Sequence, residues 1–251
     1  MTSIRLRLLV LALLPLVFLL PLLLGVTMVR WINKFDDLLI AKVASDLRVA
    51  EQYFTQIEAD TASKVAALAQ SARFASAREA GPDAFAALLS DERRALGLDY
   101  LIYRDADNIA LPAPAASLIS AAEPDAPIAA LALFNASELT AISPDLALLA
   151  EIPLVPTEAA RQIDRTAETR GMVLQTAYRT TDGQSVLLSG QLLNRNLQVI
   201  DAMNDLIYRE AEESQTRTGT TTLFLDDVRI STNVRMFEGV RALGTRASEV
   251  V

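Results

Sequence analysis

The chain has 251 residues, 51% of them hydrophobic, with 31 acidic and 23 basic side chains and neither histidine nor cysteine. That composition excludes disulfides, thiolate nucleophiles, Cys/His zinc sites and every histidine-dependent triad or general base. All 31 acidic residues and 20 of the 23 basic ones follow Trp31, a formal charge near −11 that argues against nucleic acid as a partner.

From Leu8 to Val29 the chain reads LLVLALLPLVFLLPLLLGVTMV, 22 positions without a charge. At about 1.5 Å per residue such a helix is ~33 Å long, which matches a hydrocarbon core of ~30 Å. Pro15 and Pro21 are tolerated in spanning helices. The run is long for a secretory signal, and Val26-Thr27-Met28 is a poor cleavage site. Residues 1–30 therefore read as a cytoplasmic tail and a transmembrane helix, with Arg5 and Arg7 holding the tail inside. Arg30 and Lys34 argue the other way, although Asp36 and Asp37 follow them at once. No later apolar run reaches spanning length, so 31–251 are expected to share one side, which for an alanine-rich, bacterial-looking chain would be the periplasmic side of a bacterial inner membrane.

Residues 31–80 are expected to form one long periplasmic helix, helical to about residue 79 and stopped at Gly81-Pro82. Phe35, Leu38, Leu39, Val43, Leu47, Ala50, Phe54, Ile57, Val65 and Leu68 recur at three- and four-residue steps, an apolar stripe opposite a charged face. The stripe suits packing on the chain's own domain and, over part of its length, a second copy in a parallel homodimer.

A shorter helix is expected over Asp83 to Leu96, then a strand over Leu98 to Arg104. Asp105-Ala106-Asp107-Asn108 supplies turn chemistry and lacks the glycine and distal glutamate of a calcium loop. Ile109 to Leu111 would begin a return strand. Residues 112–156, rich in alanine and proline, suit short helices and irregular loops; Asn135-Ala136-Ser137 within them matches a glycosylation triplet of the kind common by chance. Glu158 to Arg170 is expected to be a short helix ended by Gly171. Met172 to Thr180 and Ser185 to Leu193 flank Thr181-Asp182-Gly183-Gln184, the strongest hairpin signal in the chain. Asn196 can cap a helix from Leu197 to about Glu213, with Leu197, Ile200, Met203, Asn204 and Ile207 inward. A last hairpin, Thr220 to Leu225 and Val228 to Val234, turns at Asp226-Asp227 and is followed by Gly239 to Thr245. A two-stranded ribbon is marginal alone, so the expectation is that further residues complete this second sheet.

This order resembles the double Cache extracellular sensor, two PAS-like units hung on one long helix. The resemblance is carried by Leu98-Asp99-Tyr100-Leu101-Ile102-Tyr103, by Gly190-Gln191-Leu192-Leu193-Asn194-Arg195-Asn196, by Phe224 through Val234, and by Arg241-Ala242-Leu243-Gly244-Thr245-Arg246-Ala247-Ser248. The implied fold class is α+β: a transmembrane helix leading into a long amphipathic helix that carries two PAS-like antiparallel-sheet units. The membrane-distal, ligand-binding unit would span 81–195; the linking helix and an incomplete membrane-proximal unit would span 196–251.

The resemblance implies the periplasmic input module of a two-component sensor histidine kinase, or alternatively of a methyl-accepting chemotaxis receptor. This segment would be non-catalytic and hold no cofactor; ATP and Mg would serve only a downstream kinase region, and a cytoplasmic response regulator would be met through that transmitter. Family pockets lie in the distal unit, which points to Tyr100, Tyr103, Arg104, Gln175, Tyr178 and Arg179 as small-molecule ligand contacts, near Ala177 and the excursion 112–156. Tyr100 and Tyr103 fall on opposite faces of a regular strand, so at most one of the two meets the ligand. The Arg-x-Trp-Tyr cluster of amino-acid-binding members is missing, since Trp31 is the only tryptophan. Two readings from other classes stand beside this one. One is an anchored enzyme using Asp226-Asp227 or Asp105/Asp107 as acid and base, although both pairs sit in turns. The other is a membrane tether without ligand.

Overall fold

The computed structural model describes residues 4–106, 111–157, 160–208, 219–236 and 239–248. The chain divides into two compact units, 1–51 and 52–251.

The first unit is helical. Helix α1, Ile4–Ala69, begins there and passes Pro15 and Pro21 without a break. It is the one helix among the described residues long and apolar enough to cross a membrane. Phe18, Leu22, Leu23, Met28 and Val29 are exposed, and so are Phe35, Leu38, Leu39, Val43 and Leu47 further along the stripe.

In the second unit α1 stops at Ala69, ten residues short of the expected end near residue 79. Ser71 causes the break: its hydroxyl donates to the Leu68 carbonyl at 2.7 Å and accepts from Phe74 N–H at 3.1 Å, capping α2, Ala72–Ala80. Gly81, at φ 113°, turns the chain into α3, Pro82–Ala95, which starts on a proline suited to a first helical turn.

Strand β1, Tyr100–Asp105, follows. The predicted turn after it is seen at Ala106; Asp107 to Ala110 lie outside the described residues, and with them most of the predicted return strand, while Leu111 is not in a strand. The excursion holds α4, Ala113–Ala121; β2, Ile128–Phe134; α5, Ala136–Ile142; and α6, Pro144–Ala150. β2 corrects the expectation of helices and loops alone. Its run of uncharged residues becomes a strand by pairing with a segment some 45 positions later. Asn135 of the glycosylation triplet caps α5 in a reciprocal box with Glu138.

The expected helix over Glu158 to Arg170 is also corrected. Its first two residues lie outside the described ones, and the rest is irregular until β4, Ala167–Glu168, pairs with β3, Ile152–Pro153. Pro156 precedes the segment, and the Glu168 carboxylate holds Arg165 and Arg170 at 2.7 and 2.8 Å; the Arg170 contact, between residues two apart, is one that a helix would break up. β5, Gly171–Arg179, and β6, Ser185–Leu192, form the expected hairpin, with Gly183 at φ 72° in its turn. The main sheet is antiparallel in the order β1-β6-β5-β2.

The passage to the second sheet is built by three consecutive residues. Buried Asn194 accepts from Met172 N–H at 3.0 Å and donates to the carbonyls of Ala150 and Arg170, each at 2.9 Å. Arg195 takes φ 58° and donates from its backbone to Ile230 at 2.8 Å. Asn196 accepts from Val199 N–H at 3.1 Å, capping α7, Leu197–Ile207. Val199, Ile200 and Met203 are its buried residues; Leu197, Asn204 and Ile207 are only half-buried, and the predicted extension beyond Tyr208 lies outside the described residues. β7, Thr222–Leu225, and β8, Val228–Thr232, turn at Asp226-Asp227 as expected. The third segment forms only isolated bridges, Arg235 with Arg241 and Val228 with Arg246, rather than a strand. Glu249 to Val251 lie outside the described residues.

Each face of the main sheet carries its own core. Val65 and Leu68 of α1, Phe74 of α2 and Leu88 of α3 pack on Leu101, Tyr178 and Leu187. On the opposite face Ala115, Leu118 and Ile119 of α4 pack on Tyr100, Val173, Ala177, Val186 and Leu188. A third, smaller cluster joins Ile152 to Leu225, Val228 and Ile230 in the β7–β8 region.

Candidate functional site

Alternation along β1 and β5 sorts the six candidate residues. Tyr100, Gln175 and Arg179 share the α4 face, whereas Tyr103 and Tyr178 lie on the helix-covered face. Arg104 is exposed at the end of β1, its guanidinium 3.0 Å from the Tyr103 carbonyl.

On the α4 face the register places Tyr100, Gly190, Gln175 and Ala130 in one row across the sheet. The Tyr100 ring lies over Gly190, so closely that a Cβ there would fall among its ring carbons. Glycine is required at 190 to admit the ring, which carries the hydroxyl across β6 toward the β5 column. Tyr100 is 4% exposed and its hydroxyl has no partner. Burial first, and the Asp99 carboxylate second, push that hydroxyl far above its usual titration range, so it stays protonated.

Gln175 is 2% exposed. Its Nε2 donates to the Pro114 carbonyl of α4 at 3.1 Å and its Oε1 has no partner. Two rows along, Arg179 donates from Nη2 to the Ile119 carbonyl at 3.2 Å, while its buried Nε has no partner. Gln175 and Arg179 thus clamp the two ends of α4, and each keeps one polar atom unspent. Between them lies apolar packing, Ala177 beside Leu188 and Ile102. A neutral hydroxyl, an amide acceptor and a guanidinium N–H together suit a small polar molecule with both donor and acceptor groups.

The other two tyrosines are engaged elsewhere. Tyr103 makes edge-to-face contacts with Phe74 and Phe85 at 5.5 and 5.3 Å, with Arg78 4.9 Å above its ring. Tyr178 donates to the Asp125 carboxylate at 2.5 Å. Sequence reasoning missed Pro114, Ile119 and Asp125. Only Pro124-Asp125-Ala126-Pro127, a turn-like run, hinted that a carboxylate was held there.

Two open grooves of about 710 Å³ each flank 161–165, one reaching Asp226 and Asp227 and the other Leu154 to Thr157, with Arg246 in both. None of the six candidates lines them. What lies beside them is a balanced ionic network: Glu168 takes both arginines, Arg170 also reaches Asp226 at 2.7 Å, and Arg246 pairs with Asp227. Burial disfavours the Glu168 charge, but the Arg170 hydrogen bonds outweigh it and hold the carboxyl below its usual range. The network fastens 161–170 to the β7–β8 turn. Among the described residues no cluster of three or more acidic side chains could hold a metal.

A mixed fold of helices and antiparallel sheet behind a long amino-terminal helix fits a Cache-like sensor. A family model described as single Cache domain 3 matches residues 191–251, from within β6 through α7, β7 and β8. The match supports a Cache sensor domain, the extracellular ligand-sensing module of a signalling protein. The apolar amino-terminal helix is consistent with a membrane anchor for such a domain. No curated protein and no solved structure matches the chain.

Proposed function

We propose that this chain is the periplasmic input module of a transmembrane sensor histidine kinase of the bacterial inner membrane, with two Cache-type units in tandem. A small polar molecule binds on the α4 face of the main sheet through Tyr100, Gln175 and Arg179. Its differential affinity for two placements of α4 biases α1, which carries the bias to a cytoplasmic transmitter and from there to a response regulator. Two copies pair along the exposed stripe of Phe35, Leu38, Leu39, Val43 and Leu47.

The observation that carries the reading is the trio of unpaired buried atoms, Tyr100 Oη, Gln175 Oε1 and Arg179 Nε, on one otherwise apolar face. A thermal-shift screen of carboxylates, amines and purines tests it. Stabilisation that is lost in Arg179→Met and Gln175→Leu supports the site; silence across all three classes favours a tether without ligand. Translating the coding sequence beyond Val251 tests the output. A second spanning helix followed by histidine-containing and ATP-binding segments supports the kinase, and a long heptad hairpin replaces it with the chemotaxis receptor.

A further inference from the structure

The α4 face and the end of α1 lie on opposite sides of the sheet, yet one residue is tied to both, to α4 through the chain and to the end of α1 through its side chain. Asp125 follows α4 by four residues and is held at φ 64°, its backbone N–H donating to the Arg179 carbonyl at 3.0 Å. Pro124 bridges to Arg179 as well, so this short segment is laid along the end of β5. The Oδ1 atom of Asp125 then accepts from Tyr178 Oη at 2.5 Å, from Gln70 Nε2 at 3.1 Å and from Thr181 Oγ1 at 3.4 Å. Gln70 also donates to Tyr178 Oη at 3.2 Å, closing a triangle.

Gln70 is the first residue past the end of α1, and its backbone N–H makes a further turn of that helix with the Ala66 carbonyl at 3.0 Å. Tyr178 is 2% exposed and fixed among Val65, Leu68 and Leu187. The route is therefore short: α4, three residues, Asp125, then Gln70 at the end of α1, with Tyr178 as the rigid post. Tyr178 and Gln70 hold the Asp125 carboxyl below its usual range, so the acceptor remains ionised at neutral pH.

We infer that Asp125 is a positioning residue that couples the placement of α4 to the end of α1, through its joint hydrogen bonds to Tyr178 and Gln70. A displacement of α4 drags Asp125 from Gln70 and frees the junction between α1 and α2. The inference deepens the sensor reading and takes its purpose from it, but its test needs no ligand. A silent ligand screen would therefore count against that reading alone, and a failed coupling test against this inference alone.

The test is hydrogen–deuterium exchange on the full chain in lipid nanodiscs, following amides 62–74 and 113–121. Asp125→Ala and Tyr178→Phe should each speed exchange over 62–74 by about three- to tenfold, as expected for the loss of a hydrogen bond from a local opening unit. Asp125→Asn should stay near the parent, because the bonds converge on Oδ1, which asparagine retains. Ala115→Leu supplies the displacement, since Ala115 is fully buried on the side of α4 that packs on the sheet. It should speed 113–121 in every background, but 62–74 only in the parent and in Asp125→Asn. Equal increments over 62–74 in the parent and in the Asp125→Ala background would overturn the inference, and so would an Ala115→Leu effect confined to α4. Should Ala115→Leu fail to fold, an unchanged 62–74 in Tyr178→Phe overturns it independently.

Discussion

Replacing Gly190 by alanine tests how Tyr100 is seated. The backbone at 190 is ordinary, since Gly190 is not among the glycines with positive φ, so the substitution brings no conformational strain. Its whole effect is steric: the added methyl falls among Cε1, Cζ and Oη of Tyr100. Carbon atoms rest about 3.5–4.0 Å apart, so the ring has to shift by more than about 1 Å inside a close-packed core. Overpacking of this kind costs about 1–3 kcal/mol. For a unit of this size that lowers the melting midpoint by roughly 2–12 °C. The cycle with Tyr100→Ala isolates the cause. Tyr100→Ala alone should lose about 3–5 kcal/mol, as for other buried aromatics cut to alanine. In that background Gly190→Ala should no longer destabilise, and should gain about 0.4–1 kcal/mol by restricting the unfolded chain. Circular dichroism melts of the four proteins in one detergent give the sign. A Gly190→Ala penalty of equal size with and without the Tyr100 ring refutes the argument that the ring is what the glycine admits.

Glu168→Ala should cost about 3 kcal/mol, the lower end for breaking a buried ion pair, because Arg165 and Arg170 are each about one-third exposed and Arg170 keeps Asp226; urea unfolding measures it. The folded-state pKa of Glu168 lies below its ordinary value of 4.5, so the unfolded chain binds the proton first. Stability from this group is complete above pH 4.5 and falls as the pH drops through the folded value, and Glu168→Gln should flatten that slope in melts taken against pH. Gln175→Leu removes an unpaired acceptor together with one hydrogen bond to α4, so it should change stability by less than about 1 kcal/mol while abolishing any ligand-induced thermal shift. Asn135→Ala breaks the capping box of α5 and should cost about 1 kcal/mol by chemical denaturation, with Asn135→Asp close to neutral.

Features set by neighbouring residues were legible in the sequence. Asp182-Gly183 fixes its hairpin and Asn196 its helix because turn and cap chemistry act within a few positions. Features set by distant partners were not. The run Ile128–Phe134 has neither charge nor alternation, and only the free edge of β5 makes it a strand. The helix expected before Gly171 yields to pairing with β3 and to the contact of Arg170 with Glu168, two residues apart. The early end of α1 had a local signal in Ser71, the cap of the helix that follows. At the candidate site, the period of two was enough to separate Tyr100 from Tyr103. The same arithmetic separates Gln175 and Arg179 from Tyr178, a step the sequence permitted without any coordinates. Asp125 had no such handle, because its importance rests on Gln70 and Tyr178, both distant in sequence.

Unpaired buried groups occur on both faces of the main sheet, so their presence alone does not locate a ligand. Thr176 and Ser189 oppose each other in one row with Leu101, and their hydroxyls, like that of Tyr103, are buried without partners on the helix-covered face. Leaving such a group unpaired costs about 1–3 kcal/mol, which a molecule pairing with it recovers in part. The difference lies in charge and in what moves. The unpartnered groups named on the helix-covered face are hydroxyls, and α1, α2 and α3 pack on that face. The α4 face presents a guanidinium, and the helix held over Gln175 and Arg179 is the nine-residue α4, clamped by the same two side chains that hold the spare polar atoms. A molecule that takes the spare Oε1 of Gln175 and Nε of Arg179 draws on the same two side chains whose Nε2 and Nη2 hold the carbonyls of Pro114 and Ile119. Under the proposed sensor function, binding there and the placement of α4 would be linked, and the difference in the ligand's affinity between the two placements would set how far α1 is driven.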